Sequence, residues 1–217
     1  MNPFATYIFP NLIPELYRHF PDINIRVIRN VSSAEVVDQM KESQLDIGFI
    51  SESFEFDHSI RCVTLYEERF VFIANTSHPL AKNPQITASD LQYDKFVSLD
   101  SKSSITQIVQ EYMRANRMTP HSTIEINSVA AIKELVKKEQ LITLLPELFI
   151  DKEMQKGEFV ELPVRPVPPV LTTSLIYTPY CQRPDVVEFI QKAVQEIALT
   201  HTGLRLSEGN RISESSL

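Results

Sequence analysis

Two kinds of apolar spacing alternate along the chain. Ile8, Leu12, Ile13, Leu16 and Phe20 fall on one face of a helix. Pro10 and Pro14 sit awkwardly in that helix, and Pro10 is compatible only with its first turn. Pro21-Asp22 ends it. Ile23, Ile25 and Val27 then alternate with Asn24 and Arg26, which predicts a strand. Ser32 with Glu35 writes a capping box, and Val36, Val37 and Met40 follow on one helical face. Leu45 to Ile50 reads as the next strand, and this βαβ order predicts a parallel sheet.

Residues 51–59 (SESFEFDHS) form a polar loop, and residues 69–74 (RFVFIA) predict another strand. The pattern then restarts. Ser104 and Gln107 make a second capping box, with Ile105, Ile108, Val109, Tyr112 and Met113 at helical spacing behind it. Residues 122–126 read as a strand. Asn127 or Ser128 caps a helix whose face is Val129, Ile132, Leu135 and Val136, and Leu141 to Leu145 is an apolar strand ended by Pro146. Residues 163–169 (PVRPVPP) hold four prolines and read as a stiff connector. Leu171 to Tyr177 is a strand. Pro184 suits the first turn of a helix carrying Val187, Ile190, Val194 and Ile197.

The layout is two α/β units, with residues 1–74 and 175–200 in the first lobe and 75–174 in the second. The chain is expected to cross near Ile73–Asn75 and return near Ser174–Tyr177, which makes a hinge. Residues 201–217 are polar and read as a flexible tail.

Composition narrows the function. Lys and Arg number 21 against 28 Asp and Glu, a net charge of −7. A chain that binds nucleic acid alone presents a basic face. Lys133, Lys137 and Lys138 are interleaved with Glu134 and Glu139 and read as a solvated face. Cys62 and Cys181 are distant in sequence and form no CxxC, which suits free thiols in a reducing compartment. With no membrane-length apolar run and no signal-like N-terminus, the cytoplasm is the expected location and no membrane partner is expected.

Enzyme chemistry is not expected, nor a cofactor or metal. The four glycines cannot write a GxGxxG or a P-loop, and there is no GxSxG or HExxH. His58 beside Asp57 reads as a solvated loop pair. Cys62 with His78 as base is the residual nucleophilic option, against a structural thiol with nothing adjacent to lower its pKa.

What the chain does offer is hydroxyls at helix starts. Thr6 precedes the first helix, Ser32 and Ser33 open the second, Ser98, Ser101, Ser103 and Ser104 precede the third, and Asn127 and Ser128 open the fourth. In open α/β sheets these points lie at the carboxyl ends of strands, where ligands bind. Their free N–H groups and positive dipole ends attract anions. Each residue is equally accounted for as an N-cap. None of these residues is itself a cation, so the expected ligand is a small anion or polar acid held by neutral donors.

Several segments carry a family resemblance. "FPDINIRV" followed by "LDIGFI" resembles the first lobe of LysR-type effector-binding domains. "HPLA" after "ERFVFIANTS" resembles the family's crossing strand and its loop. "ITASDLQYDKFVSLD" and "INSVAAIKELVKKEQLITLLP" resemble its second lobe. The likeness covers about residues 4–198, and "EINSVAAI" with "LLP" is especially similar to cyanate-responsive members.

The resemblance implies an α/β, two-lobed, type 2 periplasmic-binding-protein-like fold with hinge strands, each lobe a mixed sheet flanked by helices. It implies a small effector between the lobes, contacted by Ala5, Thr6, Ser32, Ser33, Ser98, Ser101, Ser103, Asn127 and Ser128. It also implies homodimers or homotetramers built on antiparallel dimers, in which the Ser33 helix and the strand before it pack on the Ser128 helix of the other subunit. DNA would be met only through a winged helix-turn-helix upstream. Two departures stand out. Many members have Gly-x-Gly where this chain has Glu139-Gln140-Leu141, and they have a strand before the first helix where this chain has Met1-Asn2-Pro3-Phe4. Residues 203–207 (GLRLS) alternate as a strand would. Either they take that strand's place, in cis or in a partner, or they belong to the tail. A solute-binding protein of a transporter, and a small α/β hydrolase, stay open as other classes.

Overall fold

A computed structural model describes residues 4–28, 32–51, 58–100, 104–201 and 204–206. A π-helical turn (Phe4–Ile8) runs into α1 (Phe9–His19), followed by α2 (Ser33–Lys41), β1 (Ile47–Ile50) and a long β2 (Arg61–Asn75). Next come β3 (Ile86–Thr87), β4 (Lys95–Leu99), α3 (Ser104–Ala115), β5 (Ser122–Ile126), α4 (Val129–Lys138) and β6 (Leu141–Pro146). The chain finishes with α5 (Asp151–Gln155), β7 (Phe159–Leu162), β8 (Val164–Arg165), β9 (Val170–Tyr177), α6 (Pro184–Leu199) and β10 (Leu204–Leu206). It divides into two compact units, Met1–Glu68 with Leu171–Leu217, and Arg69–Val170. The crossings thus fall at Glu68–Arg69, inside β2, and at Val170–Leu171, a few residues before the expected positions.

In the first unit β1 pairs with β9, from Ile47 opposite Tyr177 to Ile50 opposite Ser174. The pairing is antiparallel, not the parallel one that βαβ order predicts, because the neighbour of β1 comes from the far end of the chain. Strand β9 in turn neighbours β2. Helix α2 lies so close to β1 that a Cβ on Gly48 would meet Val36 Cγ1 at 2.6 Å and Ile176 Cγ1 at 2.8 Å. That proximity seals a core of Val36, Val37, Met40, Ile50, Ile60 and Ile176. Pro10 lies within the first two positions of α1, as its missing N–H requires, while Pro14 is inside the helix. The ring of Phe4 stacks on Phe49 at 4.1 Å and meets Phe9 edge-on at 4.9 Å. At the other end of α1, Phe20 meets Phe189 of α6 edge-on.

Residues 23–27 carry the alternation that predicts a strand, yet residues 23–28 form none, and Val27 and Ile28 are 42% and 40% exposed. Alternation marks a two-faced segment, but a strand needs a neighbour to receive its N–H and C=O groups. Among the described residues nothing pairs with this one. By contrast, Leu204–Leu206, in the expected flexible tail, pair antiparallel with β2 at Tyr66–Glu68. They do not stand beside β1, whose other edge is unpaired among the described residues.

In the second unit β4 lies between β5 and β6 and runs parallel to both. Strand β2 pairs antiparallel with β6 through Phe70–Ile73 and with β7 through Phe72–Asn75, so this sheet is mixed. Helix α3 buries Ile105, Val109 and Tyr112, and α4 buries Val129, Ile132 and Val136, the faces that helical spacing predicts. The proline-rich run is more than a connector: Val164–Arg165 pair in parallel with Ile86–Thr87, and Tyr112 Oη donates to the Pro166 carbonyl at 2.6 Å.

Candidate functional site

The parallel register of β4 and β5 sets the geometry of one part of the site. Leu99 stands opposite Ile126 and Ser98 opposite Glu125. Both strands therefore end at one edge of the sheet, and Asp100 and Asn127 leave it side by side. Ser128 caps α4, its Oγ accepting from the Ala131 N–H at 3.3 Å. Asn127 is exposed and Ser98 half-buried. At the neighbouring turn the Thr106 hydroxyl donates to the Asp100 carbonyl at 2.7 Å, pinning the entry to α3. Ser101 and Ser103 lie outside the described residues, as does the side chain of Ser104.

Ala5, Thr6, Ser32 and Ser33 belong to the other unit. Ala5 and Thr6 sit in the π-helical turn before α1, which has no side-chain cap of its own. Ser32 caps α2 through the predicted box: its Oγ accepts from Glu35 N–H at 3.2 Å, and Glu35 Oε2 accepts from Ser32 N–H at 2.8 Å. A capping hydroxyl accepts through its oxygen and keeps its proton to donate elsewhere. Capping by Ser32 and Ser128 therefore leaves each a donor for a ligand.

Buried polar groups inside strands are what sequence reasoning missed. Tyr66, Glu68, Thr143 and Thr173 are each at most 2% exposed. The Thr143 hydroxyl, in the otherwise apolar run LITLLP, finds no hydrogen-bond partner among the described residues. Burial, and then the Glu68 carboxylate, push the Tyr66 hydroxyl above its ordinary pKa, with Thr173 pulling the other way. A Tyr or Thr within an apolar run was the only signal available, and such residues suit half-buried strands for packing reasons alone.

Among the described residues, the Cys62–His78 reading gains no support. Cys62 lies in the first unit and His78 in the second. Partial burial raises the Cys62 thiol pKa, with a hydrogen bond from Ser174 opposing, whereas an attacking thiol needs it lowered. His78 is buried, and its Nδ1 accepts from the Leu80 N–H at 3.2 Å while Nε2 faces Asp94 Oδ1 at 3.5 Å. That is the bonding of a structural imidazole. Among the described residues, no group of three His, Cys, Asp or Glu side chains is placed to hold a metal ion, and no helix is long and apolar enough to cross a membrane. The Glu139–Gln140 turn needs no glycine, since Glu139 takes φ −122° and ψ 159°, and Asn75 Nδ2 ties its carbonyl at 2.8 Å.

Two α/β units joined by two crossings, each with hydroxyl-bearing helix starts, define a ligand-binding domain of the type 2 periplasmic-binding-protein kind. The family model of the LysR substrate binding domain matches residues 1–198, and the chain belongs to that family, the ligand-sensing regulatory domains of LysR-type transcription regulators. Its solved neighbours include the regulatory domain of MetR from N. meningitidis, 17% identical with a TM-score of 0.78 over 95% of this chain and 94% of that one. Another is the regulatory domain of CcmR from Synechocystis PCC6803 in complex with 2-PG, 19% identical with a TM-score of 0.74 over 89% and 94%. The uncharacterised HTH-type transcriptional regulator YwqM of Bacillus subtilis is 25% identical over 77% of this chain, which spans only 57% of that protein. None of these three is named for cyanate, so the narrower likeness drawn from "EINSVAAI" stays an expectation.

Proposed function

We propose that this chain is the effector sensor of a longer transcription regulator and that its effector is a small anion or polar acid held by neutral donors. The observation that carries this reading is the common edge where β4 and β5 end, with Asn127 and Ser128 opening α4 beside Asp100. The first N–H groups of a helix have no partner within it, and with the helix dipole they favour anions. Thr6, Ser32 and Ser33 open helices of the first unit with the same chemistry. The complex described for CcmR makes 2-PG the first compound to try.

In the full regulator the effector shifts a conformational balance by no more than its difference in affinity for the two states. DNA is contacted by a helix-turn-helix outside these residues. Cytoplasmic location and antiparallel dimers, alone or paired into tetramers, belong to the same reading: α2 and residues 23–28 of one subunit pack near α4 of the other. Exposed Val27, Ile28 and, on the edge strand β5, Ile124 support such a surface. Sedimentation of Ile124→Asp tests it, since the variant should run as a monomer where the parent does not.

The test of the site is a thermal-shift screen against small anions and carboxylates, 2-PG among them, repeated on Thr6→Ala and Asn127→Ala. A ligand that binds the folded chain raises Tm with its concentration, and both variants should lose most of that shift. A shift that survives both substitutions refutes the site. Cooperative melting untouched by every compound refutes the choice of a small acid.

A further inference from the structure

The last described element lies beyond the stretch that the family model matches. The family model ends at residue 198, yet the chain turns after α6 through a Leu204 N–H to His201 carbonyl bond at 3.3 Å and lays β10 along β2. Leu204 stands opposite Glu68 and Leu206 opposite Tyr66. Directly opposed residues of an antiparallel pair share a face, so both leucines lie on the side where Tyr66 and Glu68 are completely buried. Arg205 points the other way and is exposed. Strand β10 also packs against α6. The stretch it covers is the last of the first unit before the chain crosses at Arg69.

We infer that residues 204–206 are a detachable strap on the crossing strand. Docked, the strap supplies the edge hydrogen bonds of Tyr66–Glu68 and shields the Glu68 carboxylate from water. Undocked, it frees those residues and lets water reach Glu68. Three residue pairs and two apolar side chains are a small attachment, which places the strap among the parts of a protein that open without global unfolding. The strap thus gives the crossing strand two states, which any ligand or partner preferring one of them would populate. The inference is independent of the sensor reading.

Native-state hydrogen exchange on the full chain tests it. The amides of Tyr66–Glu68 that face β10 should exchange by local opening, with little dependence on denaturant, while those of β4 and β5 exchange more slowly. Leu204→Asp should speed exchange at residues 66–68 by about tenfold or more and leave β4 and β5 unchanged. Leu204→Ile should restore the parent rate, and Arg205→Ala should match it. A synthetic peptide of residues 203–207 added in excess to Leu204→Asp should slow exchange at 66–68 again. Exchange unaltered by Leu204→Asp overturns the inference, as does exchange at 66–68 only through global unfolding. Protection that falls on dilution of the parent chain would overturn it too, since the strand would then come from a second copy.

Discussion

Replacing Arg69 by Met should cost this protein measurable stability. The guanidinium grips two carboxylates at once. Its Nε and Nη2 donate to the two oxygens of Glu147, the latter at 3.0 Å, while Nη1 and Nη2 donate to Glu161 at 3.0 Å each. Those partners hold its pKa above the ordinary arginine value, Glu147 contributing most. The side chain of Glu147 is only 10% exposed, against 38% for Arg69 and 37% for Glu161. Ion pairs in water are worth about 0–1 kcal/mol, but removing one partner of a buried pair costs about 3–5 kcal/mol by stranding a desolvated charge. Here one carboxylate is buried and the other groups are partly wet, so we expect about 2–3 kcal/mol, or roughly 4–12 °C in Tm. Urea denaturation followed by fluorescence and circular dichroism measures it, with the m-value unchanged if only stability moves. Arg69→Met combined with Glu147→Leu should recover about half the loss or more, because the stranded charge is gone. A loss below about 0.5 kcal/mol for Arg69→Met, or a double variant worse than the sum of the singles, would refute the reasoning.

Two further predictions concern the cores. Gly48→Ala inserts a methyl where Val36 and Ile176 already stand 2.6 and 2.8 Å from the ideal Cβ, so it should destabilise the first unit by about 1–3 kcal/mol, read by the urea midpoint; an unchanged midpoint would mean that α2 retreats freely from β1. His78 is kept neutral by burial, which lowers its pKa below 6.5 against the weaker pull of Asp94. Its contribution is therefore complete above pH 6.5 and is lost as pH falls below that value towards the lowered folded-state pKa. Between pH 7 and 5 the urea midpoint of the parent should drop more steeply than that of His78→Asn, and parallel profiles would exclude His78 as the cause. Asp94, raised by its own burial from 3.8, acts in the opposite sense at more acid pH, where protonation relieves it.

Helices were readable because their bonds and their amphipathic spacing are local. The apolar faces of α3, α4 and α6, Pro184 at the start of α6 and the Ser32–Glu35 box all follow from residues within four or five positions of one another. Hydroxyls at helix starts were equally visible, although capping and ligand binding ask for the same residues, so their spacing alone could not separate the two. Strands are different, since each is completed by a neighbour that the segment itself does not specify. Residues 23–27 alternate apolar with polar and pair with nothing among the described residues, whereas three residues beyond α6 found the edge of β2. Arg69 takes its partners 78 and 92 residues further along the chain. The burial of Tyr66, Glu68 and Thr143 likewise depends on which strands come to lie beside them. The sequence by itself determined the two α/β units, their longer helices and the chemistry at the helix starts. Only the tertiary structure decided which strands pair, in which direction, and which polar groups they seal away, because those choices rest on contacts between residues far apart in the chain.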